Sequence, residues 1–328
     1  MKFVIYFILI LAAAAIWQLV RVVELSAKLK GVDPNKVTDK DNKLNSRLMF
    51  LFMIFLWIFS LWCLFSYKDR LLPLSASEHG VDIDWLMDFN MIIVWAIFLI
   101  TNTILFVMAW KYYGREGQRA TYFPHNNKLE MLWTGVPAVV LFVIIFMGIR
   151  LWNKTLHPAE SNVRVVEVYA KQFSFTARYS GDDNKLGKAN YRLIMDANVL
   201  GLDSSDVAGH DDVIISDTLF IPVNEEVNFR FRSQDVIHSA YFPHFRAQMN
   251  MVPGMETFFH FKPVVTTEEM RKITGNPEFD YVLLCNKICG AAHYNMQIKI
   301  VVGTKEQYEA FMNRHTEFLP AEKTAQVK

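Results

Sequence analysis

The chain has 328 residues, 52% of them apolar, and a formal net charge of +1. Near-neutrality gives no electrostatic basis for binding nucleic acid. A mean hydropathy of +0.15 is too high for an ordinary soluble protein, while 20% charged residues are too many for a wholly buried one, so a membrane part plus a soluble part is expected. Cys63 lies in an apolar run, where a thiol behaves as a small hydrophobe. The chain has no C-x-x-C-H haem attachment motif, no internal repeat and no low-complexity segment.

Four stretches approach the roughly 20 apolar residues needed to cross a bilayer: 3–20, 48–67, 91–110 and 131–152. The first could instead be a signal peptide, with Lys2 before an apolar run ending in Ala12–Ala15. Charge decides between them. Loop 21–47 carries Arg21, Lys28, Lys30, Lys36, Lys40, Lys43 and Arg47, and loop 111–130 carries Lys111, Arg115, Arg119 and Lys128. The connection 68–90 is acidic, with Asp69, Glu78, Asp82, Asp84 and Asp88. Positive-inside bias places both basic loops in the cytoplasm and both chain ends outside. Cleavage of the first stretch would oppose that bias, so it is kept as a helix. Pro137, inside the fourth stretch, removes a backbone hydrogen bond and permits a kink. Glu130 stands at the cytoplasmic entrance of this helix, where a carboxylate favours the helix dipole and suits proton capture at the membrane edge. The first two helices, rich in Phe, Trp and Leu, are expected to pack against other subunits.

From about residue 163 the period changes. Segments beginning at Val163, Val227, Thr257, Tyr281 and Met296 alternate apolar and polar residues, as half-buried strands do. Turn-rich pieces such as Ser180-Gly181-Asp182-Asp183-Asn184 separate them. About 150 residues of short strands indicate an antiparallel sandwich or barrel. Thr304–Phe318 reads as a closing amphipathic helix capped by Thr304, followed by a polar tail. The expected division is a transmembrane region over 1–152, a β domain over 153–303, and a C-terminal helix and tail over 304–328.

Inside the β domain, Cys285-Asn-Lys287-Ile-Cys289-Gly-Ala-Ala-His293-Tyr-Asn-Met296 gathers two thiols, an imidazole and a thioether. Upstream, Asp235-Val-Ile-His238 places a second imidazole at the end of an apolar-patterned strand. Such donors select copper, zinc or iron–sulfur over magnesium or calcium, and a weak methionine ligand favours copper. A disulfide or a tetrahedral zinc site would use the same residue types. His157, His210, His244 and His260 lack ligand spacing. Met249, Met251 and Met255 read as adaptable packing residues that could also assist copper loading.

These residues resemble subunit II of the haem–copper cytochrome c oxidases, in a long bacterial form with two additional N-terminal membrane helices. The family loop reads C-x-E-x-C-G-x-x-H-x-x-M, preceded by H-S on an earlier strand. His125-Asn-Asn-Lys-Leu-Glu130-Met-Leu-Trp133-Thr134-Gly-Val-Pro137 is similar to the family's H-N-x-x-L-E-x-x-W-T-x-x-P, and the likeness extends over roughly 85–303. The family ordinarily has two membrane helices, matching the third and fourth apolar stretches here; with the two additional ones, the resemblance implies four transmembrane helices followed by an all-β Greek-key cupredoxin barrel, α+β overall, with the metal loop between its last two strands. It implies a dinuclear copper A centre: His238 and His293 as terminal imidazoles, Cys285 and Cys289 as bridges, Met296 as a weak axial ligand, and Lys287 through its backbone carbonyl. Asp235 either orients His238 or faces the donor.

The same resemblance implies an electron-entry subunit of a respiratory oxidase in the bacterial inner membrane, with the copper domain on the periplasmic side. It takes single electrons from a c-type cytochrome and passes them to haem in subunit I, where oxygen becomes water with proton pumping. Further copper and the haem reside in that partner. Subunit III and membrane lipid are implied neighbours, and membership of a larger respiratory assembly is left open. Glu130 corresponds to the carboxylate at the mouth of the family's proton pathway. Lys171-Gln172-Phe173-Ser174-Phe175 aligns with an aromatic stretch whose exposed Trp lies between copper and the donor; Phe173 takes that place here. The family's magnesium-binding Glu is replaced by Lys287, and its Lys and Asp near x-P-G by Gln248 and Asn250, before Pro253-Gly254, so a magnesium site is doubtful. A quinol-oxidase subunit II shares the fold without the copper ligands, and a free-standing copper carrier would not need Glu130 or its motif.

Overall fold

The structure, a computed structural model, describes residues 2–31, 37–157 and 163–319. Lys36 and the polar tail from residue 320 lie outside the described residues. Four long helices come first: α1 (Lys2–Leu29), α2 (Asp39–Tyr67), α3 (Glu78–Lys111) and α4 (Asn127–Leu156). Each is long and apolar enough to cross a membrane. All four run beyond their apolar stretches into flanking polar residues, and side-chain caps mark the start of two of them. Ahead of α2, the Thr38 hydroxyl accepts from the Asp41 N–H while the Asp41 carboxylate accepts from the Thr38 N–H, a reciprocal capping arrangement. Ahead of α3, the Ser77 hydroxyl accepts from the Gly80 N–H at 3.2 Å.

Two compact units emerge, 1–66 with 93–126, and 67–92 with 127–328. Within the first, α2 meets the second half of α3 through aromatic pairs, Phe50 with Trp110 at 4.8 Å and Phe52 with Phe106 at 5.8 Å. The Asn42 amide donates to the Gly114 carbonyl at 3.1 Å, and the Glu116 N–H donates to the Asp39 carboxylate at 2.9 Å.

Among its described residues the second unit holds ten strands: β1 (Arg164–Lys171), β2 (Ser174–Tyr179), β3 (Val213–Ile215), β4 (Thr218–Pro222), β5 (Val227–Ser233), β6 (His238–Phe242), β7 (Ala247–Met251), β8 (Thr257–Phe261), β9 (Tyr281–Cys285) and β10 (Gln297–Gly303). They form two five-stranded sheets in the orders β3-β2-β1-β5-β8 and β4-β10-β9-β6-β7. Most pairs are antiparallel, but β1 with β5 and β4 with β10 are parallel. Parallel neighbours distant in sequence require long crossovers, as in a Greek key and unlike a simple meander. Both sheets contribute to one core, in which Phe229 meets Phe242 at 5.2 Å and Phe261 at 5.0 Å, and Phe245 meets Phe261 at 4.9 Å. Each of these rings removes some 150–250 Å² from water.

Alternation alone would expose the other face of β1, yet that face is buried as well. The connection 180–212 lies over it and brings Leu200 and Leu202 against Tyr169. Beneath this cover Glu167, fully buried, pairs with Arg178 at 2.9 Å and with Arg232, while Arg178 reaches Asp212 at 3.5 Å. Two short helices complete the unit, α5 (Thr267–Thr274) and α6 (Lys305–Met312). The Thr304 hydroxyl caps α6 by accepting from the Gln307 N–H. This helix ends sooner than the expected 318, because the chain turns back: the Phe318 N–H donates to the Asp212 carbonyl and the Leu319 N–H to the His210 carbonyl.

Burial pushes the Asp212 carboxyl up to about 6, against the opposing pull of the Arg178 guanidinium and the Gly187 N–H. An unfolded Asp titrates near 3.9, so between those values the folded state holds a proton that the unfolded state has lost. This group therefore makes stability fall as pH rises from about 4 to about 6, with little change beyond. Thermal unfolding of the Asp212→Asn chain across pH 4–7 should show a flatter dependence over that interval than the parent. An unchanged slope would exclude Asp212 as its source.

Candidate metal centre

Three neighbouring strands of one sheet, β10-β9-β6, deliver the donors. His238 opens β6, a correction to the expected strand end: the preceding residues 234–237 are an exposed bend, and the apolar run that follows builds the strand. Cys285 is the last residue of β9, and Met296 directly precedes β10. The intervening loop carries Lys287, Cys289 and His293, with a 3-10 turn over His293–Asn295. The ladder closes immediately beneath it, where the Cys285 N–H donates to the Met296 carbonyl at 3.0 Å.

All six donors expected from the sequence converge. The sulfurs of Cys285 and Cys289 lie 3.9 Å apart, far beyond the roughly 2.05 Å of a disulfide, so both are free thiols. Around Cys285 Sγ stand His238 Nδ1 at 3.9 Å and the Lys287 carbonyl oxygen at 3.3 Å. Around Cys289 Sγ stand His293 Nδ1 at 3.6 Å and Met296 Sδ at 3.8 Å. His238, Cys285, Cys289 and Met296 are buried, while His293 is half-buried. A sulfur pair at this separation can share a metal held about 2.3 Å from each. The full set of six exceeds the four places of a tetrahedral zinc site. It fits copper, which accepts thiolate, imidazole and a weak thioether together.

Electrostatics point the same way. Burial, reinforced by the adjacent Cys285 thiol, pushes the Cys289 thiol up to about 11. Thiolates in this pocket therefore call for a neutralising cation, and loading one releases protons.

The imidazole of His238 is oriented from behind. Its Nε2 donates to Asp235 Oδ1 at 2.8 Å, which fixes the tautomer with the Nδ1 lone pair toward the sulfurs. Burial pushes the Asp235 carboxyl up, but hydrogen bonds from the Gln172 N–H, the His238 ring and the Val236 N–H together bring it below the usual carboxylate range. Of the two roles weighed for Asp235, the geometry displays orientation of His238.

Sequence reasoning gave Gln172 and Gly290 no task. Gln172 sits in the β1–β2 turn, where its N–H donates to Asp235 at 2.7 Å and its side-chain amide donates to the Cys289 carbonyl at 2.5 Å. Gly290 has φ +138°, and a Cβ there would come within 2.9 Å of the Phe173 ring and 2.8 Å of the Gln172 amide. Phe173 thus lies directly against the metal loop and is 37% exposed. The K-Q-F run carried the signal for Gln172, but its partners became visible only once the turn was folded over the loop.

Other candidates fall elsewhere. The Gln248 amide donates to Asn286 Oδ1 at 3.3 Å; Gln248, Asn250 and Lys287 are exposed beside the loop. Met251 is buried opposite His238 in the β6–β7 ladder. Met249 packs on the core, and Met255 is exposed. Each of the remaining histidines has a different environment. His210 contacts the Ser204 carbonyl. His260 bonds Glu226 and the His157 carbonyl. His244 packs edge-on against Phe279 and Tyr281, and burial lowers it to about 4. Glu130 lies in the first turn of α4.

Comparison with known proteins agrees with this geometry. The model of the cytochrome c oxidase subunit II transmembrane domain matches residues 66–151, and that of the subunit II periplasmic domain matches residues 164–303. The alternative cytochrome c oxidase subunit 2 of Bradyrhizobium diazoefficiens is 34% identical over 225 residues, covering 67% of this chain and 76% of that protein. The chain belongs to the cytochrome c oxidase subunit II family. Cytochrome c oxidase subunit 2 of Cereibacter sphaeroides is 25% identical, over 73% of this chain and 78% of its own. The periplasmic domain of subunit II from Bradyrhizobium japonicum covers 48% of this chain and 94% of its own at 19% identity, with a TM-score of 0.32. Membership makes this a membrane protein with its β domain on the periplasmic side.

Gly290→Ala should loosen the loop by forcing Phe173 and Gln172 aside, and Gln172→Ala should do so by freeing the Cys289 carbonyl. Release of copper to a chelator should quicken roughly tenfold to a hundredfold in either variant, the usual effect of losing an outer support. Parent-like release from both would show that the β1–β2 turn does not brace the loop.

Proposed function

We propose that the chain is the electron-entry subunit of a respiratory cytochrome c oxidase, built around a dinuclear copper centre. One observation carries this reading. Four further donors surround a single pair of sulfurs, so that each sulfur is flanked by an imidazole plus one weaker donor. His238, Cys285, Lys287 (through its carbonyl), Cys289, His293 and Met296 would hold the metal. Copper bound there supplies a one-electron couple. The protein's part is to keep the donors in place, exclude water from the sulfurs and offer a contact surface to the donor.

In this reading single electrons arrive from a c-type cytochrome and leave for haem in subunit I. Phe173, packed on the loop and partly exposed, marks the entry point. The half-buried edge of His293, beside the Tyr294 side chain (89% exposed), gives a second short approach. Glu130 takes up protons from the cytoplasmic side, which follows from the positive-inside orientation of the two basic loops and leaves both termini periplasmic. Subunit III and the lipid bilayer surround the helices. A magnesium site at the subunit I border is weakened, since magnesium is bound through carboxylates and positions 248, 250 and 287 offer an amide, an amide and an ammonium.

Copper analysis with X-band electron paramagnetic resonance on the copper-loaded intact chain should give two coppers and a seven-line signal from one shared electron. One copper with a four-line signal would overturn the dinuclear reading. In the assembled oxidase, Glu130→Gln should slow turnover while leaving that signal unchanged. Phe173→Ala should slow electron entry from the donor; unaltered donor binding and entry rate would remove Phe173 from the path.

A further inference from the structure

The segment 73–84, which ends in the first turns of α3, is laced into the β domain. Ala76 and Ser77 are fully buried. On one side the Ala76 N–H donates to the His244 carbonyl at 2.7 Å, and the Ser77 hydroxyl donates to the Phe245 carbonyl at 2.7 Å. On the other, the Val264 N–H donates to the Ala76 carbonyl at 2.8 Å and the Glu78 N–H to the Lys262 carbonyl at 3.0 Å. The segment therefore runs between the tip of the β6–β7 hairpin and the chain just past β8, joining both sheets.

Arg246 is the centre of this lacing. It sits at the hairpin tip in the left-handed region, φ 52°, with a side chain only 8% exposed. Its Nε and Nη2 grip the Asp84 carboxylate bidentately at 2.7 and 2.9 Å. Nη2 also donates to the Pro73 carbonyl at 2.5 Å and Nη1 to the Pro243 carbonyl at 2.6 Å. Gly80 makes room for it, since a Cβ there would meet Ser75 Oγ at 2.2 Å, Ser77 Oγ at 2.6 Å and Arg246 Cγ at 3.2 Å. Asp84 belongs to α3, so the bond joins a membrane helix to a hairpin of the β domain.

The same hairpin carries a copper donor at its other end. His238 is the first residue of β6, and its ladder partner Met251 is the last of β7. At about 3.3 Å per residue, the five-residue strands form a lever of roughly 16 Å from the clamped tip to the imidazole. A buried ion pair seldom stabilises more than apolar packing of equal volume would. What the planar guanidinium fork adds is a fixed direction.

We propose that Arg246 and Asp84 are a positioning pair: they fix the β6–β7 hairpin, and with it the copper centre, relative to the membrane helices and hence to the haem of subunit I. Neither residue touches a donor atom, so their effect falls on the onward step and leaves the centre itself intact. The inference rests on the copper reading given above.

The test uses the intact oxidase carrying Arg246→Gln, Asp84→Asn, both together, or Arg246→Lys. Copper resonance is recorded alongside flash-initiated reduction of copper by the donor and onward reduction of haem. In complexes with full copper content, the resonance and the donor step should match the parent. Copper-to-haem transfer should fall roughly tenfold, as small displacements of reacting groups produce. The double variant should be no worse than either single one, since both break one interaction, and Arg246→Lys should lie between. Onward rates within about twofold of the parent, judged against that tenfold expectation, would overturn the proposal. So would a rate that falls only in proportion to copper lost, which would mark the pair as merely stabilising. Failure of the copper reading would look different, because the parent complex would then lack the shared-electron signal.

Discussion

Two buried thiols held 3.9 Å apart without bonding are the constraint on which the metal centre depends. As thiolates in a low-dielectric pocket they would repel one another strongly, and burial makes the Cys289 thiol reluctant to ionise. The scaffold therefore holds both sulfurs close as neutral thiols, and turning them into a thiolate pair calls for a bound cation to offset their repulsion. It does so by anchoring the loop at each end on interior strands. β9 and β10 are hydrogen-bonded to one another and flanked by β6 and β4, so Cys285 and Met296 start from backbone that has little freedom to move.

The loop between those anchors is held by a polar frame that closes on itself. Cys289 is tied through its carbonyl to Gln172, Gln172 through its N–H to Asp235, and Asp235 to the ring of His238. His238 in turn faces Cys285. Each link draws on a different strand connection, so shifting one donor requires breaking a hydrogen bond contributed by a distant part of the chain. A site braced in this way can gain or lose an electron with little rearrangement, which is the property an electron-entry subunit needs.

The six donors were legible in the sequence because five lie within twelve consecutive residues whose pattern matches the family's copper loop, while the residue types alone left a disulfide or zinc open. The four membrane helices were legible because long apolar runs have few alternative fates. What escaped was made by burial across long distances. Glu167 and Arg178 are charged residues that alternation alone would turn outward, yet the connection 180–212 covers them and turns β1 into a strand buried on both faces. His238 was placed at the end of a strand because Val236 and Ile237 look like strand residues; they are an exposed bend, and the strand begins at His238 itself. Residues 73–77, rich in Pro and Ser, carry the composition of a loop. Their role depends on partners nearly two hundred residues away, and no local pattern announces it.

That distant pairing bears on how the domain is held over the membrane. A single covalent connection from α4 into β1 would leave the β domain free to rotate about the link. The described contacts supply more than one attachment. Lys154 of α4 pairs with Asp82 of α3 at 2.7 Å, joining the two helices just below the domain. The His157 carbonyl, directly past α4, meets His260 of β8, which also holds Glu226. Arg246 then fixes the opposite sheet to Asp84. Attachments on both sheets and on two helices remove the rotation that one link would permit. These contacts tie the β domain to the first turns of α3 and to the end of α4. Lys154, Asp82 and Glu226 are partly exposed, and such pairs contribute little to stability; their value here is geometric, in restricting where the copper-bearing end of the domain can point.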